Sequence, residues 1–447
     1  MNKQSHRGRK AAAGAVAALS SLLLAACGTA DAAGTAKEAA AREAACAPYA
    51  AYRGHEGTTV TLLMNDGFES VKATQALRRF SDCTSIRVDV EGAAGVEDEV
   101  KKRVGAGDPP DLAIVAQPGL IATLAGSGNL KPAAGSVAKA AGENWSADWL
   151  TYGSVDGELY AIPFDSNVSS YVWYSPAALK KEGYEVPRSW DELMAVSAKI
   201  ADTGRTPWCL GLGSGAATGW PATNWIEDAM LAMYGPDVYD QWVTHAIPFD
   251  DPKVLRAAER AERVVKNEKY VRGGVRNAAT TYFEDAGLPI LRGECSFYRL
   301  GSFYAGSFPR GTKVAADGDV FAFPVPPADP SEGRLAIVGS TFTGAFSDRP
   351  EVAAVHTYLA TGDFASRRVS LGGWMSANNK VDMSLYKSDL DKLSAEIMRD
   401  PDTTVRFDGS DMMPAAVGTG SFWTGMTDWI KGEDTETVLA EIEKSWP

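Results

Sequence analysis

The chain has 447 residues, 45% of them apolar, and a formal net charge of −13. That length exceeds what one hydrophobic core usually serves, so two lobes or domains are expected. The acidic balance excludes a nucleic-acid or anionic-membrane surface, because a self-repelling face would have to meet phosphate.

Taken from the start, Lys3, Arg7, Arg9 and Lys10 form a basic region, followed by the apolar run AAAGAVAALSSLLLAA. Residues 1–26 therefore read as a signal peptide. The stretch LLAAC, Leu23–Cys27, resembles the lipobox of bacterial lipoproteins, which implies that Cys27 carries lipid and becomes the first mature residue. Loss of the four cations takes the formal charge from −13 to −17. The Ala-rich Gly28–Ala45 has almost nothing to bury and reads as a partly helical tether. Residues 27–56 thus precede the globular part, which begins near Gly57, and no internal run there is long enough to cross a bilayer.

From Gly57 the pattern is α/β. Val60, Leu62 and Met64 alternate as a strand, NDG turns, and SVKATQALRRF is helical. Ile86, Val88 and Val90 alternate again, VEDEVKKRV is helical, and PDLAIVA is a short buried strand. Strands alternating with helices predict βαβ units and a parallel sheet. Ligands of such sheets sit beyond the carboxyl ends of the strands, which makes Asn65, Asp66, Phe68 and Gln117 positional candidates.

Later helices carry start signals. Ser189 with Glu192 forms a capping box, and Asp251 caps a helix with Pro252 in its first turn. Asp348 and Glu351 show the same box spacing, ahead of a helix expected to end at Gly362. His356 on that helix is expected to be packed at a helix–helix contact. Beyond Cys27, four cysteines remain in an exported, oxidising setting, and four permit three connectivities. The pairing expected is Cys46 with Cys83 and Cys209 with Cys295, because each then stays within one lobe. No cysteine spacing suits a metal.

Neither a Gly-x-Ser-x-Gly elbow, a Walker loop nor a His-Glu-x-x-His is present, and the histidines are scattered. Glu227 and Asp228 are adjacent, so on a helix they diverge and cannot form the facing carboxyl pair a glycosidase needs. No cofactor is expected. The stretch PWCLGLGSGAATGWPATNWIEDAML, Pro207–Leu231, places Trp208, Trp220 and Trp225 around a run of small residues. Aromatic faces beside a few polar groups suit a pyranose, whose face shows C–H bonds and whose edge shows hydroxyls. Trp208 reads as core; Trp220 and Trp225 read as ligand platforms, with Glu227 beside them.

Several long stretches then carry a resemblance over Gly57–Pro447. They are PDLAIVAQPGL, DGELYAIPFDSNVSSYVWY, GYEVPRSWDELMA, the Trp-rich stretch above and RFDGSDMMPAAVGTGSFWTGM. Together they resemble the extracellular solute-binding lipoproteins of carbohydrate ABC importers, family 1, and within them the α-glucoside-binding proteins. The resemblance implies an α/β, two-lobed periplasmic-binding-protein-like fold of type II, as in maltose-binding proteins, with hinge-crossing segments. One lobe would comprise residues 57–162 and 340–390, the other 163–339 and 391–447. It also implies that the protein is no enzyme. An α-glucoside, a disaccharide or short oligosaccharide, would be caught between the lobes and passed to a two-subunit permease with a cytoplasmic ATPase. The protein would be a monomer, held at the extracellular face of the membrane only through its lipid.

On this chain the family's cleft maps to Asn65, Asp66, Phe68, Gln117, Asp165, Asn167, Trp220, Trp225, Glu227, Arg299, Ser340, Thr341 and Trp374. Two departures stand out. MNDGFES replaces a Trp-, Gly- or Pro-rich segment, which puts Phe68 in question. SFYRLGSFYAG after Cys295 is more aromatic than usual, which adds Tyr298 as a stacking candidate. Alternatives of other kinds are the same fold binding another sugar, a sugar alcohol or a glycosylated osmolyte, a secreted glycosidase, and a sugar-sensing adhesion or signalling protein.

Overall fold

A computed structural model describes residues 37–328 and 333–447. The signal segment and Cys27 lie outside the described residues. Two compact units separate at Gly54 and His55. In the first, residues 37–46 are helical and a 3-10 turn covers Ala47–Tyr52, with Arg53 paired to Glu43 at 3.0 Å.

The second unit carries fourteen strands among its described residues. They are β1 Thr59–Asn65, β2 Arg87–Ala93, β3 Leu112–Val115, β4 Ser154–Val155, β5 Glu158–Leu159, β6 Ala161–Pro163 and β7 Asn167–Val168. There follow β8 Tyr171–Tyr174, β9 Trp208–Cys209, β10 Phe297–Arg299, β11 Phe321–Pro324, β12 Arg334–Gly339, β13 Phe342–Ala345 and β14 Thr403–Phe407. One sheet runs β2-β1-β3-β13-β6, a second β11-β8-β10-β9, and a third β14-β12-β7, beside the β4–β5 hairpin. The parallel pairing predicted from the βαβ pattern holds for β2, β1 and β3; β13 lies antiparallel to both its neighbours, so the sheet is mixed.

Between β6 and β7 the chain passes from the first sheet to the third, and between β12 and β13 it passes back. Residues 164–166 and 340–341 are therefore crossings between the two lobes. They are tied to each other: Asp165 Oδ1 accepts from the Thr341 amide at 2.7 Å and from its hydroxyl at 2.8 Å. Ser340 Oγ donates to the Asp165 carbonyl at 2.5 Å.

Local chemistry accounts for most helix starts. Ser189 Oγ accepts from the Glu192 amide at 3.1 Å, while Glu192 reaches back to the Arg188 amide at 2.7 Å, one residue before the usual target. Asp251 accepts from the Lys253 amide at 2.7 Å. Asp348, by contrast, caps nothing: the helix is Pro350–Leu359 with Arg349 at its cap, and Arg349 pairs with Asp111 and Glu351 instead. Nor does Gly362 end that helix; it opens Gly362–Ser370, whose cap is Thr361 accepting from the Phe364 amide. His356 Nε2 stands 2.9 Å from the Thr343 carbonyl, so its ring bonds to β13, while the helix that carries it also packs on helices Gly135–Asn144 and Gly362–Ser370. Burial pushes its pKa down to about 4, which leaves it neutral.

The second lobe's core gathers Trp190, Leu193, Trp208, Trp225, Trp242, Phe249 and Trp429. Helix Pro252–Val265 seals it with Val254, Ala257, Ala258, Ala261, Val264 and Val265, all buried and spaced for one helix face. Cys209 and Cys295 are disulfide-bonded, with Cα atoms 5.6 Å apart, and tie β9 to the residues before β10. Cys46 and Cys83 are each disulfide-bonded.

Candidate functional site

The small-residue run Gly211–Gly219 exists because other backbone lies against it. A Cβ at Gly211 would meet the Thr281 carbonyl at 2.8 Å, and one at Gly213 would meet it at 3.0 Å. Gly213 and Tyr282 form a bridge, with Phe283 donating its amide to the Gly213 carbonyl at 3.0 Å. At Gly219 the reasons double: φ is 115°, and a Cβ would stand 1.9 Å from the Trp423 carbonyl. Close approach thus delivers Tyr282 and Phe283 to the side of Trp220.

The result is an aromatic strip. Trp220 meets Phe283 edge-on at 5.3 Å and Phe303 at 5.9 Å, and Tyr282 lies 5.2 Å from Phe283. Trp220 and Phe283 are half-buried, while Tyr282 and Phe303 each keep 44% of their surface exposed. Phe303 is beside the first crossing, since the preceding Ser302 hydroxyl accepts from the Val168 amide at 3.3 Å.

The remaining expected site residues lie on other elements of the same unit. Asn65 and Asp66 are exposed at the carboxyl end of β1, and Phe68 follows at 56% exposure. Gln117 stands at the start of helix Pro118–Gly126, directly after β3, and is nearly buried. Behind Phe68 lies Arg368, fully buried, 5.9 Å from that ring and 5.3 Å from the Trp374 ring. Arg368 pairs with Glu69 at 2.5 Å, yet desolvation keeps the Glu69 carboxyl above its ordinary pKa. Burial likewise raises Asp165, against the lowering effect of its Thr341 bonds. Asn167 accepts from Ser169 at 3.1 Å beneath the same crossing. Ser340 is buried and Thr341 half-buried, both held on Asp165.

Besides the buried Ser340 and Gln117, five expected contacts are enclosed in protein. Trp225 packs edge-on against Trp208 at 5.2 Å in the core, because its position on the Trp220–Val243 helix turns it toward β9. Tyr298 is the middle residue of β10, buried on both faces, and its hydroxyl donates to the Phe283 carbonyl at 2.8 Å. Trp374 packs on Phe164 at 5.5 Å and braces the crossing from behind. Glu227 and Arg299 belong to a buried network. Arg299 donates to Asp228 at 2.8 Å and to Asn224 at 2.7 Å; Asn224 donates to Glu227 at 3.0 Å and to Asp408 at 2.7 Å. One guanidinium faces three carboxylates there. Burial first, then the Asp408 charge, drives Glu227 well above the ordinary carboxyl range, against the Arg299 charge and the Asn224 bond.

Sequence reasoning missed Tyr282, Phe283, Phe303, Glu69 and Arg368. The aromatic SFYRLGSFYAG was a usable signal, but the exposed ring in it is Phe303, beyond the end of β10, and not Tyr298. No group of metal-ligating side chains occurs among the described residues.

Residues 67–361 match the family model of the bacterial extracellular solute-binding proteins. The chain is 39% identical over 384 residues to the osmoprotective compounds-binding protein GgtB of Synechocystis, covering 85% of this chain and 90% of that one. It is 37% identical over 377 residues to the alpha-glucosides-binding periplasmic protein AglE of Rhizobium meliloti, covering 82% of each. In fold it is similar to the bacterial solute receptor AcbH, with a TM-score of 0.73 over 87% of this chain and 97% of that one, at 18% identity. The chain belongs to the bacterial extracellular solute-binding proteins, which bind a solute without converting it, and it is not an enzyme.

Proposed function

We propose that this protein captures a neutral, polyhydroxylated solute, a sugar or a glycosylated osmolyte, in the cleft between its lobes and delivers it to an ABC permease driven by a cytoplasmic ATPase. The observation that carries the reading is Trp220. It alone of the three clustered tryptophans is not buried, and its ring meets the exposed Phe303 at 5.9 Å. Stacking would fall to Trp220; Asn65, Asp66, Asp165 and Asn167 would take hydroxyls, with Gln117, Ser340 and Thr341 nearby. An α-glucoside lies within this class. The wider class is preferred because the two relatives are named for different solutes, osmoprotective compounds and α-glucosides. A lipid on Cys27 would hold a monomer at the outer face of the membrane.

The work is a shift between open and closed lobes. A solute that touches both lobes favours closure only by its affinity difference between the two states. Moving the balance from about 1:99 to 99:1 takes about 5.5 kcal/mol. A stacked ring at about 0.5–1.5 kcal/mol beyond burial, with hydrogen bonds to charged groups at about 1.5–3 kcal/mol each, reaches that sum.

A thermal-shift panel on the mature domain tests the reading, with maltose, trehalose, sucrose, raffinose, galactose and glucosylglycerol. A bound solute at about 100 times its Kd adds about 2.7 kcal/mol, a clear rise in Tm. No shift with any of them contradicts the reading.

A further inference from the structure

The aromatic strip is longer than one sugar needs. Phe303 lies at the crossing end, Trp220 and Phe283 occupy the middle, and Tyr282 closes the far end. A single pyranose stacked on Trp220 leaves Tyr282 uncovered, with 44% of its surface still open. Tyr282 and Phe303 keep 44% of their surface exposed at the two ends, with the half-buried Trp220 and Phe283 between them, and large exposed rings of this kind mark binding surfaces. The strip is also built, not accidental. Tyr282 is fixed by its bridge to Gly213, and side chains at Gly211 and Gly213 would push the Thr281–Phe283 segment away. Polar groups gather at the other end, where Asp165, Ser340 and Thr341 bond to one another at the crossings and Asn167 follows, bonded to Ser169. A ring held there by its hydroxyls extends along the strip toward Tyr282 only if something is attached to it.

Resting on the sugar-binding reading above, we infer that Tyr282 is a specificity-determining residue that selects solutes longer than one pyranose ring. The second or third ring lies on its exposed face. The phenol edge then meets ring hydroxyls, and the gain from stacking appears only for the longer solute.

Calorimetric titration of the mature protein tests this with probes of one ring (methyl α-glucopyranoside and galactose), two rings (maltose, trehalose and sucrose) and three rings (maltotriose and raffinose). The wild type is expected to bind a two- or three-ring probe more tightly than any one-ring probe. In Tyr282→Ala that advantage is expected to shrink by about fivefold or more, and in Tyr282→Phe to be kept, since the ring face remains. A wild type that prefers one ring, or a Tyr282→Ala variant in which the ratio of affinities is unchanged, overturns the inference alone. Binding of none of the probes by the wild type removes the functional reading, and the inference with it.

Discussion

Arg299 is the only cation in the network that Asn224, Glu227, Asp228 and Asp408 make, and it bonds to two of its members directly. Removing one partner of a buried ion pair leaves the rest uncompensated, at a cost of about 3–5 kcal/mol. Arg299→Ala is therefore expected to lower Tm by several degrees before any question of solute arises; an unchanged Tm contradicts the assignment to structure. His356 gives a pH prediction of definite sign. Its folded pKa of about 4 lies below the ordinary 6.5, so the stability it permits is complete above pH 6.5 and is lost as pH falls through about 4. The shift corresponds to about 3 kcal/mol. Urea midpoints compared at pH 7 and pH 4 should fall less in His356→Gln than in the wild type.

At the scale of elements, the helix Trp220–Val243 and the loop before it are set by glycine. Gly219→Ala places a Cβ into the Trp423 carbonyl at a backbone angle that side chains avoid, so it should cost about 2 kcal/mol or more. Calorimetric melting checks that, and a wild-type Tm contradicts it. Periodicity and caps made most elements legible: β1, β3, the Ser189 cap and the Asp251 cap all follow from local pattern. Asp348 misled because a box spacing says nothing of a competing partner, and Asp111 and Glu351 claim Arg349 at the helix start. For the candidate site, position along the chain was legible from the sequence but the direction of each side chain was not. Asn65, Asp66 and Phe68 are open at a strand end, whereas Trp225 and Tyr298 point into cores that only the tertiary fold creates. Tyr282 is remote from Trp220 in sequence, and backbone approach through glycines, invisible to side-chain periodicity, joins them.

At the largest scale, two sheets of the second unit are joined through paired crossings, which the bond from the Thr341 amide to Asp165 ties together. The resemblance gave this architecture from sequence because long stretches in order constrain topology far more than any motif does. It gave solute identity less well, since relatives named for different solutes share the same framework. The proposed function turns on Trp220 as an open wall of a sugar-binding cleft. Its most direct test is calorimetric titration of the mature protein and of Trp220→Ala with the best solute of the panel. Binding in Trp220→Ala is expected to weaken about tenfold or more, about 1.4 kcal/mol of lost affinity, with an almost unchanged Tm. Equal affinity in the two proteins would contradict it.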